Sequence, residues 1–185
     1  MSTFLKTISP VTIFALFLFA GCGSTEPNFA DRGTVQIAEN PESNQVSFLG
    51  ITHMIPDVNP DQSPWNASYF LRTFMDTENG ELVHQLYTDV LYTAGDRREY
   101  NSANMQGGIN LQMSRIRIEN LECPGYSRCA FREIVGIIIP DQALRNNSDG
   151  LRVNLHSSSG QSLELHVRQA QISAQLQALD SYRGM

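Results

Sequence analysis

Past residue 45 the hydrophobic pattern is that of β-strands. Val46–Met54 (VSFLGITHM) and Ala67–Met75 (ASYFLRTFM) are rich in β-branched and aromatic residues. Glu81–Tyr92 puts Leu82, Leu86, Val90 and Tyr92 on even positions, the two-residue repeat of a strand with a buried face. Between these last two runs lies Asp76-Thr77-Glu78-Asn79-Gly80, whose Asn-Gly pair predicts a hairpin with positive φ at both turn positions. Ile109, Leu111 and Met113 occupy odd positions, then Ile116 and Ile118 even ones. A phase slip of that kind predicts a β-bulge near Ser114-Arg115. Cys129–Ile139 (CAFREIVGIII) ends almost continuously apolar, as a central strand covered on both faces does. Val153, Leu155, Leu163, Leu165 and Val167 form one face of a hairpin closed by residues 157–161, and pairing 153 with 165 sets Arg152 opposite His166. Within Ala170–Tyr182, Ile172, Leu176 and Leu179 recur at helical spacing.

Seven such strands and one late helix predict an antiparallel β-sandwich of immunoglobulin-like type over residues 45–185, with a β-barrel as the alternative. If each strand reverses direction, the connections alternate between two ends. The tight turns 76–80, 123–129 and 157–161 then share one end, where the chain also enters. The long loops, about 55–66, 93–108 and 140–150, share the other, where sandwiches commonly bind.

The N-terminus carries a different pattern. Lys6 precedes Val11–Ala20 (VTIFALFLFA), a continuous apolar run of ten residues. That is the h-region length of a secretory signal and too short to cross ~30 Å of hydrocarbon as a helix. It leads into Leu18-Phe19-Ala20-Gly21-Cys22, which resembles the lipobox of bacterial lipoproteins, with Phe19 where Leu is usual. The resemblance implies cleavage before Cys22 and acylation of Cys22, so that 1–21 is a signal peptide. Gly23, rather than Asp, after the cysteine implies the periplasmic side of the outer membrane. Acyl chains at ~0.8 kcal/mol per buried CH₂ anchor a protein without a spanning helix. Residues 22–44 are small, polar and punctuated by proline, and read as a flexible tether.

The other cysteines, Cys123 and Cys129, enclose Pro-Gly-Tyr-Ser-Arg. In an oxidising compartment this spacing predicts a disulfide clamping a hairpin end, worth ~2 kcal/mol for so short a loop. A redox pair or a metal pair needs a different spacing or two more ligands.

Charge narrows the partners. Of 185 residues, 13 are basic and 19 acidic, so phosphate-backbone recognition has no electrostatic footprint here. Lys6 is the only lysine and leaves with the leader. The mature chain then has twelve arginines, nineteen acids and a formal charge of −7. Lysine-based chemistry is excluded, and basic recognition must use guanidinium groups, which suit bidentate carboxylate contacts.

Candidate chemistry is sparse. Asp57-Val58-Asn59-Pro60-Asp61 imitates the start of a calcium loop, but Gln62 and Ser68 stand where glycine and the bidentate glutamate belong. Arg97-Arg98, between Asp96 and Glu99, has neither the lysine nor the following helix of a phosphate loop. His84 lies on the apolar phase of its strand and reads as packed. Glu133, in a mostly apolar strand, predicts an arginine partner such as Arg115 or Arg117 if it is buried. No nucleophile–base signature, metal set or cofactor motif is present. The expected binding surface comprises Asp57, Asp61, Trp65, Arg97, Arg98 and Tyr100. The expected function is non-enzymatic: a lipid-anchored binding or structural module with a protein or envelope-polymer partner and no nucleic acid. A cell-envelope hydrolase, an accessory lipoprotein of a secretion or envelope assembly, and a ligand-binding sandwich are the alternatives.

Overall fold

A computed structural model describes residues 33–40, 42–55, 66–123, 129–147 and 149–184. Along the chain the elements are β1 (Gln36–Asn40), β2 (Gln45–Leu49), β3 (His53–Ile55), β4 (Asn66–Asp76), β5 (Leu82–Ala94) and β6 (Tyr100–Met105). They continue with β7 (Ile109–Leu111), β8 (Met113–Glu122), β9 (Cys129–Ile139), α1 (Asp141–Asn146), β10 (Gly150–Ser157), β11 (Ser162–Arg168) and α2 (Gln169–Arg183). One sheet has the order β1-β2-β4-β5-β9-β8, with β3 also on β4; the other has the order β11-β10-β6-β7. All pairings are antiparallel. The protein is an all-β sandwich with a short C-terminal helix.

The two-residue repeat builds its core. Tyr69 and Leu71 of β4, Leu86, Val90 and Tyr92 of β5, and Val135, Ile137 and Ile139 of β9 meet Val153, Leu155, Leu163, Leu165 and Val167 of the facing sheet. Fully burying an aliphatic side chain of this kind contributes ~1.5–3 kcal/mol. Along one side the layers are joined by covalent continuity: β7 pairs with β6, and after Gln112 the same chain, as β8, pairs with β9. The ladder holds through that corner, because the Ile138 N–H donates to the Gln112 carbonyl at 2.8 Å. On the opposite side α2 closes the gap, burying Ile172 in the main core and Leu179 against Val46, Phe48 and Met75.

Several expectations hold in detail. Val153 pairs with Leu165 and Arg152 with His166. The slip in β8 is a pair of bulges, at Ile116 and Leu121, where the register on β9 skips from Arg115 to Arg117 and from Asn120 to Glu122. Cys123 and Cys129 are disulfide-bonded at the β8–β9 end.

Others are corrected. The 76–81 connection is a hairpin, but only Gly80 has positive φ. The Asp76 carboxylate accepts from the Glu78 and Asn79 N–H groups, so an acidic side chain organises a longer turn than Asn-Gly alone predicts. The folded chain also begins earlier than expected. Gln36–Asn40, inside the stretch read as tether, pairs with β2, although all five of its residues are exposed. Its lack of a buried face is why no periodicity marks it.

The separation of tight turns from long loops fails. Residues 93–108 contain β6, whose polar sequence (YNSANM) carries little strand signal. One additional strand reverses the parity of everything after it. Ala94 pairs with Cys129, so the 94–100 and 122–129 connections share an end, and the 140–149 connection leaves from Ile139 at the end that holds the 76–81 turn. That last connection contains α1, also unpredicted.

Gly50 fixes how β2 continues into β3. Its N–H donates to the Leu71 carbonyl at 2.7 Å. A Cβ there meets the Leu71 carbonyl oxygen and Gln175 Oε1, each at 2.7 Å. Gly50→Ala is expected to cost ~1–3 kcal/mol in urea unfolding. Gly33→Ala, with no atom within 4 Å of the added methyl, should stay within ~0.5 kcal/mol of the parent.

Candidate functional site

The acid singled out in the sequence, Glu133, is 1% exposed and sits between the two sheets. Its place on β9 follows from the strand repeat, which turns odd positions toward the core. No arginine holds it. Its Oε1 accepts from the Tyr92 phenol and from the Glu99 N–H at 3.0 Å, and Oε2 accepts from the Tyr100 N–H at 2.9 Å. The expected Arg115 instead donates its Nε–H to the Tyr100 carbonyl at 3.2 Å. Arg117 faces Glu119 on the outer side of β8, at 3.1 Å. Both were read as candidate partners because they precede Glu133 on the neighbouring strand. The bulge at Ile116 and the approach of residues 99–100 decide otherwise.

This carboxylate organises the 97–100 segment. Glu99 has φ of 54°, the left-handed region that costs a non-glycine residue ~1 kcal/mol, and that conformation aims its N–H at Glu133. The Arg98 N–H donates to the Tyr92 oxygen at 2.8 Å, and the Arg98 guanidinium lies 4.4 Å from the Tyr92 ring centroid. From the other sheet, the Ser158 and Ser159 N–H groups reach the Glu99 and Arg98 carbonyls at 3.1 and 3.4 Å. Burial, and then the bond to Glu133, push the Tyr92 phenol far above its ordinary pKa. Burial likewise raises Tyr100. Both phenols stay neutral across the physiological range and serve as fixed polar groups.

His84, predicted as packed, is 2% exposed. Its Nδ1 lies 2.8 Å from Thr73 Oγ1 and its Nε2 lies 2.9 Å from Asp141 Oδ1. Gln175 Nε2 donates to Thr73 Oγ1 at 2.8 Å. A carboxylate accepts, so the neutral ring carries its proton on Nε2, and the Thr73 hydroxyl donates to Nδ1. The order Thr–His–Asp imitates nucleophile, base and orienting acid, but Thr73 is 0% exposed and no substrate atom reaches its oxygen. The relay joins β4, β5, α1 and α2. Arg145 extends it, bridging Asp141 at 3.0 Å and approaching Asp180 at 3.8 Å.

A third polar contact ties the layers where β4 meets β11. The Tyr69 hydroxyl donates to the His166 carbonyl at 2.7 Å, and its phenol pKa is pushed up to about 12, by burial first. His53 packs its ring 5.2 Å from that of Tyr69 and lies 3.3 Å from Arg168.

The predicted binding surface is divided. Tyr100 is 1% exposed and belongs to the core, a correction explained by its N–H being drawn to Glu133. Arg98 is folded back over Tyr92. Arg97 is exposed and donates to Asn120 of β8 at 3.1 Å. Cys22, Asp57, Asp61 and Trp65 lie outside the described residues. Among the described residues no group of three His, Cys, Asp or Glu is disposed to hold a metal ion. A shallow groove of about 340 Å³ lies where Gly33, Thr34 and Val35 run beside Ala174, Gln177, Ala178 and Ser181 of α2. Sequence reading overlooked the outer aromatic cluster of Phe70, Tyr87 and Ile134, all buried, with the Arg72 guanidinium 4.7 Å from the Tyr87 centroid. The only signal for it was that β4 and β9 are apolar on both phases.

Two outcomes follow from these networks. Glu133→Gln keeps the volume but turns an NH₂ toward a backbone donor, and should cost ~1–3 kcal/mol in urea unfolding. Glu119→Gln, a partly exposed ion-pair member, should cost less than ~1 kcal/mol. Equal losses would remove the role assigned to Glu133. His84 is held below its ordinary pKa of 6.5, by burial first and against the opposing pull of Asp141. The native state thus binds this proton less readily than the unfolded chain. The stability it contributes is complete above about pH 6.5 and is lost as pH falls through the lower native pKa. An NMR titration should place the His84 midpoint below 6.5, and His84→Gln should flatten that part of the pH–stability curve; a midpoint at or above 6.5 contradicts it.

Comparison with known proteins adds no relative: no protein-family model, no curated protein and no solved structure matches this chain.

Proposed function

We propose that the chain is a lipid-anchored module of the bacterial cell envelope, held at the periplasmic side of the outer membrane through Cys22, and that it acts by binding. The groups with acid–base chemistry support this by where they sit. Glu133, His84 and Thr73 are sealed in the interior and bonded to the fold itself. The observation that carries the binding reading is the opposite kind of surface on the chain passing from β7 to β8. Ile109 is 56% exposed, Ile116 42% and Leu121 46%, on neighbouring end strands of the two sheets. Exposed apolar side chains on end strands leave an edge that another chain can cover.

The topology supports an orientation for that edge. The described chain starts at Gly33 beside β1 and α2. Gly33 is eleven residues from Cys22, a reach of at most ~40 Å at ~3.6 Å per residue. In the order β1-β2-β4-β5-β9-β8, the β8 edge lies five strand spacings from β1, ~24 Å at ~4.8 Å each. A short tether on one side and a free apolar edge on the other suit a module held near a membrane and presenting its far side. The partner class is a protein rather than a polymer, because a strand edge is recognised by another backbone.

Palmitate labelling in cells tests the anchor. The parent chain should take up label and fractionate with membranes, and Cys22→Ala should lose both. Retained label in Cys22→Ala overturns the reading.

A further inference from the structure

We propose that α2 is an acid-sensitive latch: a proton taken up by His84 releases the helix from β2 and β4 while the two sheets stay folded. This goes beyond the binding reading and does not depend on it. The geometry is a chain of hydrogen bonds with one direction. Both amide protons of Gln175 are committed, one to the Phe48 carbonyl at 3.1 Å and one to Thr73 Oγ1 at 2.8 Å. The Thr73 hydroxyl in turn donates to His84 Nδ1 at 2.8 Å, and His84 Nε2–H to Asp141 Oδ1 at 2.9 Å. Donors thus run from α2 through β4 and β5 to α1. Gln175 and Thr73 are 0% exposed and His84 2%, so solvent offers no substitute partner.

A second proton on the ring must go on Nδ1. It then faces the Thr73 hydroxyl, donor against donor. The hydroxyl can turn and accept, but its own hydrogen then needs an acceptor, while its oxygen still receives from Gln175. An acceptor without a partner is close by: Gln175 Oε1, the other atom of the same amide. Swinging the amide round to present Oε1 takes Nε2 away from Thr73 and turns an oxygen toward the Phe48 carbonyl. Protonation therefore costs α2 the buried bonds of Gln175.

The charges facing the ring set the sign. From α1, Asp141 favours the protonated ring and Arg145 opposes it; from α2, Arg183 opposes it. Asp180 of α2 lies 3.8 Å from Arg145. β4 and β9 bring Thr73 and Ile139, neither of them charged. Burial raises Asp141, but its bonds to His84 and Arg145 more than offset this, so its carboxylate stays ionised in mild acid. Burial of the ring outweighs the pull of Asp141, so the closed form holds the proton less tightly than a solvated imidazole does. Proton uptake then favours the open form. α2 is the element that can open alone. Its other polar ties to the sheets include Gln171 to the Ile51 carbonyl at 2.9 Å and Arg183 to the Gly80 carbonyl at 2.7 Å, whereas β4, β5 and β9 are held by continuous ladders. Opening uncovers Val46, Phe48 and Met75, the apolar cluster that Leu179 completes.

The experiment is amide hydrogen exchange on the full chain at about pH 7.5 and about pH 5, with rates corrected for the intrinsic effect of pH. Residues 172–182 should open far more often than β5 and β9 at both values, which marks a local event. Their opening should rise toward acid by several-fold, with a ceiling of about thirtyfold. That ceiling belongs to a group that titrates near 6.5 when solvated and stays neutral when closed. In His84→Gln the acid rise should vanish while the local opening remains. Exchange of α2 that keeps pace with β5 and β9 overturns the proposal, because the helix then leaves only when the whole fold does. So does local opening indifferent to pH in the parent chain, or an acid rise that persists in His84→Gln. The first two readouts need no variant, so a His84→Gln chain that fails to fold does not shield the proposal.

Discussion

The fold depends on one buried negative charge. Transferring a carboxylate from water into a protein interior costs several kcal/mol unless its lone pairs are taken up by well-placed donors. Glu133 finds them in two backbone N–H groups and a phenol. The N–H donors come from residues 99 and 100, where the chain leaves the β5 edge and enters the second sheet, so satisfying the charge fixes that crossing. The left-handed turn at Glu99 and the serine contacts from the 157–161 turn follow from it. A hydrophobic residue at 133 would fill the space and leave those N–H groups unpaired.

The crossing explains how two sheets of unequal size stay in register. They are sutured at the 99–100 segment by Glu133, at the Gln112 corner by backbone continuity, and between β4 and β11 by Tyr69. The remaining side is covered by α2, whose Gln175 is 0% exposed and donates to Phe48 and Thr73. The His84 relay lies under that helix. Polar groups thus sit at these seams, although the middle of the larger sheet also buries Thr88 and Gln85 of β5. Such groups add little net energy when paired and exact a large penalty when misplaced, so they select this arrangement over other packings of the same strands.

The same distribution shapes the functional reading. Glu133, His84 and Tyr92 on the seams are bonded within the fold and kept from solvent. What the surface offers is a strand edge, twice bulged, with isoleucine and leucine at the bulges and opposite charges at its two halves.

The sequence by itself determined the strands with one buried face. Alternation in β5, β10 and β11 gave their inward residues and the β10–β11 register, and the phase slip gave a bulge near Ser114-Arg115, which the structure places one residue on at Ile116, because burial of one face imposes a period of two. It marked Cys123 and Cys129 as a clamp through spacing and compartment. It also marked Glu133 and His84 as unusual, since each is polar on an apolar phase. Tertiary structure decided the rest. β1 has no buried face and is held by ladder bonds to β2, while β6 buries Tyr100, Ala103 and Met105, positions too irregularly spaced in a polar sequence to mark a strand. Missing β6 reversed the assignment of every later connection to an end of the sandwich. The partners of Glu133 were equally hidden, because two of its three donors are backbone N–H groups, which every non-proline residue carries. Only the path of the chain brings them to the carboxylate.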